Sequence, residues 1–258
     1  MTHTQDISTS DLERLKTKIL EVTGIVFDET KDLLLTNKIQ KFGLAKQLAP
    51  GQALQLILAD PDGFDEFINF VTVNHTYFYR EPEHFEHLLA SLKENQSNPV
   101  KIWSAACSFG HEAYTIGIVC EIAGKNYKIL ATDIDTKALT VARKGVYPVK
   151  QLAKLPEPFR QFFTHEGAHA YVREKIKQNI RFEFLNLVNT PYPLKPTFDY
   201  IFCRNVFIYF EHEQKIKCLK HLAPLLKVGG YLYVGRSEFI NVKIEGLEFK
   251  GHSIFQKV

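Results

Sequence analysis

The sequence predicts an α/β protein in two parts: a small all-helical N-terminal domain and a larger domain built on a parallel sheet. Three observations lead there. Up to about residue 80 the apolar residues fall at helical spacing and are cut into short segments by turn signals. From Val100 onward, short apolar runs alternate with helical stretches, and strands separated by helices require parallel pairing with right-handed crossovers. The apolar run Phe198–Cys203 then ends on Arg204-Asn205. A strand end is where open α/β sheets place their ligand chemistry.

The elements follow in order. Ser10 with Glu13 forms a capping box for a first helix running to about Gly24. Lys31 to Phe42 is a second helix, punctuated by Gly43. Pro50-Gly51, Asp60-Pro61 and Asp62-Gly63 separate the short helices around Leu54–Leu58 and Phe64–Val71. A linker helix at 81–95 leads from the helical domain, residues 1–80, into the larger domain, residues 81–258. There we expect strands at Val100–Ala105, Tyr127–Thr132, Ile180–Leu185, Phe198–Cys203 and Tyr231–Gly235, with one or two more in Leu247–Gln256. Helices are expected at Glu112–Ile122, Thr136–Arg143 and Glu213–Leu226, the last ended by Gly229-Gly230. The stretch 145–179 breaks this rhythm with three prolines, and about thirty-five residues is long for a connector, so it reads as a subdomain with its own task.

Composition narrows the function classes. The chain has 258 residues, 45% apolar and 24% charged, an ordinary globular balance. It carries neither a signal peptide nor an apolar run of membrane-spanning length, so no membrane insertion is expected. Cys107, Cys120, Cys203 and Cys218 form no CxxC pair and read as reduced thiols of a cytoplasmic protein. A net charge of +3 does not indicate nucleic acid, but it is uneven: −3 over residues 1–80 and +6 over the rest. The larger domain suits an acidic partner.

Candidate site residues cluster at strand ends. Ser104 to Gly110 is a turn of small residues, Phe109 excepted, between the first strand and its helix, where a ligand can approach backbone and free N–H groups. It has one glycine where the dinucleotide fingerprint has three. Asp133 ends the second strand 23 positions past Gly110, near the distance at which an acidic residue meets a ribose diol; Asp135 is placed to cap the next helix. His84 and His87 at i, i+3, and His165 and His169 at i, i+4, have no Cys or carboxylate partner in a metal pattern and read as solvated faces. His75 and His111 read as packing or surface residues.

Several of these segments together resemble the CheR family of chemotaxis-receptor methyltransferases, over about Asn74 to Ser237. Trp103–Thr115, with Glu112-Ala113-Tyr114-Thr115, resembles the family's first nucleotide-loop motif, and Ala131–Thr136 its second. Asn74-His75-Thr76-Tyr77-Phe78-Tyr79-Arg80 resembles the Asn-x-Thr-x-Phe-Phe-Arg segment that closes over the cofactor, with Tyr79 in place of Phe. Phe198–Phe210 resembles the active-site strand and turn. The resemblance implies a seven-stranded class I S-adenosylmethionine-dependent methyltransferase sheet with a last antiparallel strand, the 145–179 subdomain being a small β insertion. It implies cofactor contacts from Asn74, Thr76, Arg80, Glu112, Asp133, Asn186, Leu187, Arg204 and Asn205, and a catalytic role for Arg80 and Tyr209. S-adenosyl-L-methionine would be the cofactor and S-adenosyl-L-homocysteine the product.

The implied reaction is methyl esterification of glutamates on chemoreceptor cytoplasmic helices. A glutamate is already ionised near neutral pH, so the transfer needs positioning and solvent exclusion rather than a general base. One of Arg80 and Arg204 is expected to bind the cofactor's methionyl carboxylate; the other, with Tyr209, the substrate's. No His or Lys is placed as a base for methylating an amine, and no metal is needed. Two other readings are a related methyltransferase with a non-chemotactic protein or small carboxylic acid as acceptor, and a non-catalytic adaptor that binds the cofactor; loss of Arg80 or Tyr209 would have favoured the adaptor. The expected partner is the chemoreceptor cytoplasmic helical domain, met by a monomer. Lys31, Lys38 and Lys41 make no clean basic stripe on the second helix, and the short tip Thr164–Ala170 speaks against tethering by a receptor C-terminal peptide.

Overall fold

The computed structural model describes residues 7–72, 74–153, 155–195, 197–238 and 243–258. They divide into two compact units, one containing the chain up to residue 72 with Tyr209–Glu211, the other the remainder from Asn74.

The first unit is helical: α1 (Thr9–Thr23), α2 (Asp32–Lys46), α3 (Pro50–Ala59) and α4 (Pro61–Val71). Leu15, Ile19, Leu35, Ile39, Phe42, Leu54, Ile57 and Phe67 make its core, with Phe42 edge-on to Phe67 and Phe70 at 5.5 Å. The cap of α1 is Ser8 rather than Ser10: its hydroxyl accepts from the Asp11 N–H at 3.1 Å. Gly43 does not end α2 but lies inside it, because a Cβ there would stand 2.9 Å from the Leu48 carbonyl and 3.1 Å from Ala53 Cβ. The proline turns instead start helices, and the Asp60 carboxylate caps α4 by accepting the Gly63 N–H at 2.8 Å. Lys38 turns its ammonium to the Phe70 carbonyl at the end of α4 (2.5 Å), and Lys31 reaches the Val26 carbonyl at 3.2 Å. Tyr209 joins this unit by accepting the Val26 N–H at 3.1 Å, next to a bridge between Ile25 and Phe210.

The second unit opens with α5 (Pro82–Glu94), β1 (Val100–Ala105), α6 (His111–Ile122), β2 (Tyr127–Asp133) and α7 (Thr136–Lys144). An insertion follows, with β3 (Val146–Pro148), α8 (Glu157–Arg160), β4 (Phe163–Glu166), β5 (His169–Val172) and α9 (Glu174–Lys177). The chain then forms β6 (Ile180–Phe184), β7 (Phe198–Cys203), α10 (His212–Leu222), β8 (Leu226–Val234), β9 (Leu247–Phe249) and β10 (Ile254–Lys257). The main sheet runs β6-β2-β1-β7-β8-β10-β9; its first five strands are parallel, and β10 is antiparallel to both its neighbours. β1 and β7 are the central strands, and every residue of β7 is buried. The insertion is a separate antiparallel sheet, β3-β5-β4, with Gly167-Ala168 as the turn between β4 and β5.

The last crossover differs from expectation. The helix stops at Leu222, a 3-10 turn at Ala223–Leu225 takes up Pro224, and Gly229-Gly230 lies within β8. A Cβ on Gly230 would stand 2.7 Å from the Asp199 carbonyl, and the pairing of β7 with β8 slips at that point. These glycines serve a bulge rather than a helix end.

Candidate active site

The carboxyl ends of β1, β2 and β7 bring most of the sequence-predicted residues together. β1 runs into a turn in which Ala106, Ser108 and Gly110 take φ of 60°, 49° and 85°. This left-handed backbone aims N–H groups across the strand end instead of along it. Two of those conformations are held without glycine, which costs about 1–2 kcal/mol per residue and needs fixed partners. Asp133 is one: its carboxylate accepts the Ser108 N–H at 2.7 Å and the Asp135 N–H at 2.8 Å. Burial, at 7% exposure, pushes this acid up to about 6 against backbone hydrogen bonds from Asp135, Ser108 and Ile134. A carboxylate offers about four lone-pair directions, so Asp133 keeps capacity for further donors. Asp135 is the α7 cap, accepting the Ala138 N–H at 2.8 Å.

The segment from Asn74 closes on the same turn. Asn74 accepts from the Ser108 hydroxyl at 2.6 Å and donates to the Asp135 carboxylate at 2.7 Å. Thr76 lies half-buried in this segment, and Phe78 is buried between the His111, Tyr147 and Phe163 rings. The Arg80 guanidinium donates to the His75 carbonyl at 2.7 Å and lies 5.7 Å from the Tyr77 ring.

Arg204, expected to contact the cofactor or the substrate carboxylate, is held by partners within the protein. It is 5% exposed, with Nε on Glu112 at 2.7 Å and Nη1 on Glu81 at 3.3 Å. Its Nη1 also donates to His84 Nδ1 at 2.9 Å, and its plane lies over the Phe85 and Phe202 rings. Glu112 in turn accepts the Ser104 hydroxyl at 2.6 Å, so α6, β1 and β7 are locked through one carboxylate. The guanidinium makes His84 Nδ1 an acceptor, which leaves Nε2–H to donate to the His252 carbonyl at 2.6 Å. Burial and the Arg204 charge hold His84 down to about 4, neutral at physiological pH.

His84 is therefore an internal polar hinge between α5 and β7 and not part of a solvated face, and His87 bonds the Tyr233 hydroxyl at 2.9 Å. The expectation fails because α5 packs on the sheet with both imidazoles turned inward. His165 and His169 are exposed. Among the described residues no three His, Cys, Asp or Glu side chains gather as metal ligands would.

Sequence reasoning missed two acidic residues. Glu81 (φ 59°) accepts from Arg204 and, at 3.1 Å, from the Asn205 amide. Glu238, past the end of β8, is 2% exposed and accepts backbone N–H groups from Gly235, Asn205, Phe207 and Ile208. The available signals were Glu81 beside Arg80 and a carboxylate just beyond a strand end. Farther along the edge, Asn186 and Leu187 follow β6, both buried, with the Asn186 amide oxygen accepting the Val188 N–H at 3.0 Å. Tyr209 leaves the β7 turn for the helical unit.

The donor and acceptor set suits a nucleoside-bearing cation. Acidic Glu112, in the first turn of α6, and Asp133, at the end of β2, stand at successive strand-to-helix junctions, the Ser108 N–H faces Asp133 from the β1 turn, and apolar Leu187 follows the β6 end. Residues 74–253 match the sequence model described as the CheR methyltransferase SAM-binding domain. "Chemotaxis protein methyltransferase 2" of Pseudomonas aeruginosa is 33% identical over 88% of this chain and 86% of its own length. "Chemotaxis protein methyltransferase" of Salmonella typhimurium is 31% identical over 99% and 92%. Its namesake from Escherichia coli is 32% identical over 99% and 93%.

Proposed function

Because this chain belongs to the CheR methyltransferase family, we propose that it transfers a methyl group from S-adenosylmethionine to glutamate side chains on the cytoplasmic helices of a chemoreceptor. The family makes it an S-adenosylmethionine-dependent methyltransferase with S-adenosylhomocysteine as product, and its main sheet is the class I methyltransferase sheet. The observation that carries the reading is the Asp133–Ser108–Asn74 and Glu112–Arg204 set on adjoining strand ends.

The bound cofactor supplies a methyl group on a sulfonium, open to in-line attack. Asp133 would hold the ribose hydroxyls, Asn186 and Leu187 would border the adenine, and Asn74 and Thr76 would close the segment that excludes water. Arg204 is committed to Glu112 and Glu81, so its role is to fix Glu112 and the β7 turn, with Asn205 beside it toward the cofactor. That leaves Arg80, which among the described contacts meets the His75 carbonyl and the Tyr77 ring and no Glu or Asp, to take a carboxylate, with Tyr209 donating to the acceptor. An attacking carboxylate and a sulfonium would lose their charges together, so excluding water at these strand ends would favour the transition state over its ions. No proton has to be removed.

The protein acts in the cytoplasm as a monomer, without a receptor C-terminal peptide as tether; the two-residue β4–β5 turn supports the last point. No described helix is long and apolar enough to cross a membrane. The deciding experiment is radiolabelled methyl transfer to receptor cytoplasmic fragments, followed by mild alkali. Label released as methanol is expected from an ester; label that stays on the protein would refute glutamate as the acceptor.

A further inference from the structure

We propose that Glu238 is a positioning residue for methyl transfer: its buried carboxylate clamps the β7 turn from the neighbouring β8 loop, and only its ionised form holds that turn in the working conformation. The inference rests on the methyltransferase reading above and adds to it a residue and a pH control.

The carboxylate has no solvent to answer to. One oxygen accepts the N–H groups of Gly235 and Asn205, each at 2.7 Å; the other accepts those of Phe207 at 2.5 Å and Ile208 at 3.3 Å. Three of these donors belong to the turn that follows Arg204, and the fourth to the loop that carries Glu238 itself. A ring of converging N–H groups is an anion nest, filled here by a side chain of the same molecule. The turn gains from such a clamp: Asn205 sits at φ 59°, a left-handed conformation that asparagine tolerates better than most side chains and that the surrounding hydrogen bonds hold in place. Glu81 supplies the second grip, through the Asn205 amide.

Burial works against these four donors and pushes Glu238 up to about 7. The charged and titratable groups packed around it do not reverse this. Arg204 is held by Glu112 and Glu81, Arg236 by Glu83 at 3.1 Å, and the buried Cys203 thiol is pushed well up and stays neutral. A protonated carboxyl turns one acceptor into a donor facing backbone N–H groups, which are donors too. The turn then loses at least one of its anchors as pH falls through about 7.

The test uses the full chain, Glu238→Gln and Glu238→Asp. Wild type should show kcat rising with pH through about 7, while the KM for S-adenosylmethionine changes little. Glu238→Gln should lower kcat about tenfold or more at pH 8, roughly 1.4 kcal/mol of transition-state stabilisation, and lose that limb. Glu238→Asp, which keeps the charge on a shorter arm, should restore the limb at reduced kcat. Wild type without a limb near 7, or Glu238→Gln with the wild-type kcat and profile, would overturn the proposal. Amide exchange gives a readout independent of turnover: protection at Asn205 and Phe207 should fall about tenfold in Glu238→Gln, after correction for intrinsic rates. Unchanged protection refutes the clamp whether or not receptor fragments are methylated. If wild type methylates nothing while Glu238→Gln still loses this protection, the clamp stands and the methyltransferase reading alone fails.

Discussion

Asp133 shows how one residue can serve the fold and the ligand at once. Its carboxylate organises the β1 turn through the Ser108 N–H while it is expected to receive two ribose hydroxyls. Both tasks need the anion, and burial has lifted the acid to about 6. Cofactor affinity should therefore be level above about pH 7 and weaken as pH falls through 6, because the protonated form is the poorer acceptor. Asp133→Asn should weaken binding about 10- to 100-fold at pH 7.5, the worth of hydrogen bonds to a charged group, and should flatten the pH dependence. Calorimetry with S-adenosylhomocysteine between pH 5 and 8 checks both outcomes. An affinity in the variant equal to wild type would move the ribose elsewhere.

At the scale of elements, the Arg204 network joins α5, β1, α6 and β7. Glu112 of α6 and, from the start of α5, Glu81 and His84 converge on one guanidinium whose side chain is 2% exposed. Breaking a buried pair by removing one partner costs about 3–5 kcal/mol, since the other charge stays behind. Arg204→Ala should lose that much in denaturant unfolding, and cofactor binding should fall because Glu112 is no longer held. A variant with wild-type stability would show that the network does not hold the fold and would leave Arg204 open to bind a carboxylate of cofactor or substrate. The same scale explains the second helix. Lys38 caps the end of α4, where a cation meets the last carbonyls of a helix, and burial lowers its basicity. Lys41 remains exposed on α2.

For the whole molecule, the charge balance becomes a kinetic expectation. The larger part of the chain carries net +6 and the N-terminal 80 residues −3, so an acidic receptor surface should be drawn by long-range fields. Those fields are screened over about 8 Å at physiological ionic strength. Methylation of receptor fragments should slow as salt rises from low to physiological, through KM more than kcat. An isolated receptor C-terminal peptide should bind no tighter than about 10 μM, roughly −7 kcal/mol. Tighter binding in a fluorescence titration would show that the β insertion tethers after all, through the free edge of β4.

Local chemistry determined much of this protein in the sequence itself. The apolar run of β7, the small residues after β1 and Asp133 at the end of β2 each carry their signal within a few neighbours, and strands separated by helices imposed the parallel sheet. Tertiary structure alone decided where charges are spent. Ser8 over Ser10 as the cap, Gly43 inside α2, and Gly229-Gly230 within a bulge depend on backbones that approach from distant segments. His84 was read as a solvated face because its spacing says nothing about which side of α5 meets the sheet. Arg204 and Glu238 depend on it most. A guanidinium or a carboxylate looks the same in sequence whether it awaits a ligand or is already satisfied, and only three-dimensional packing brings Glu112 and Glu81 to the one and four backbone N–H groups to the other.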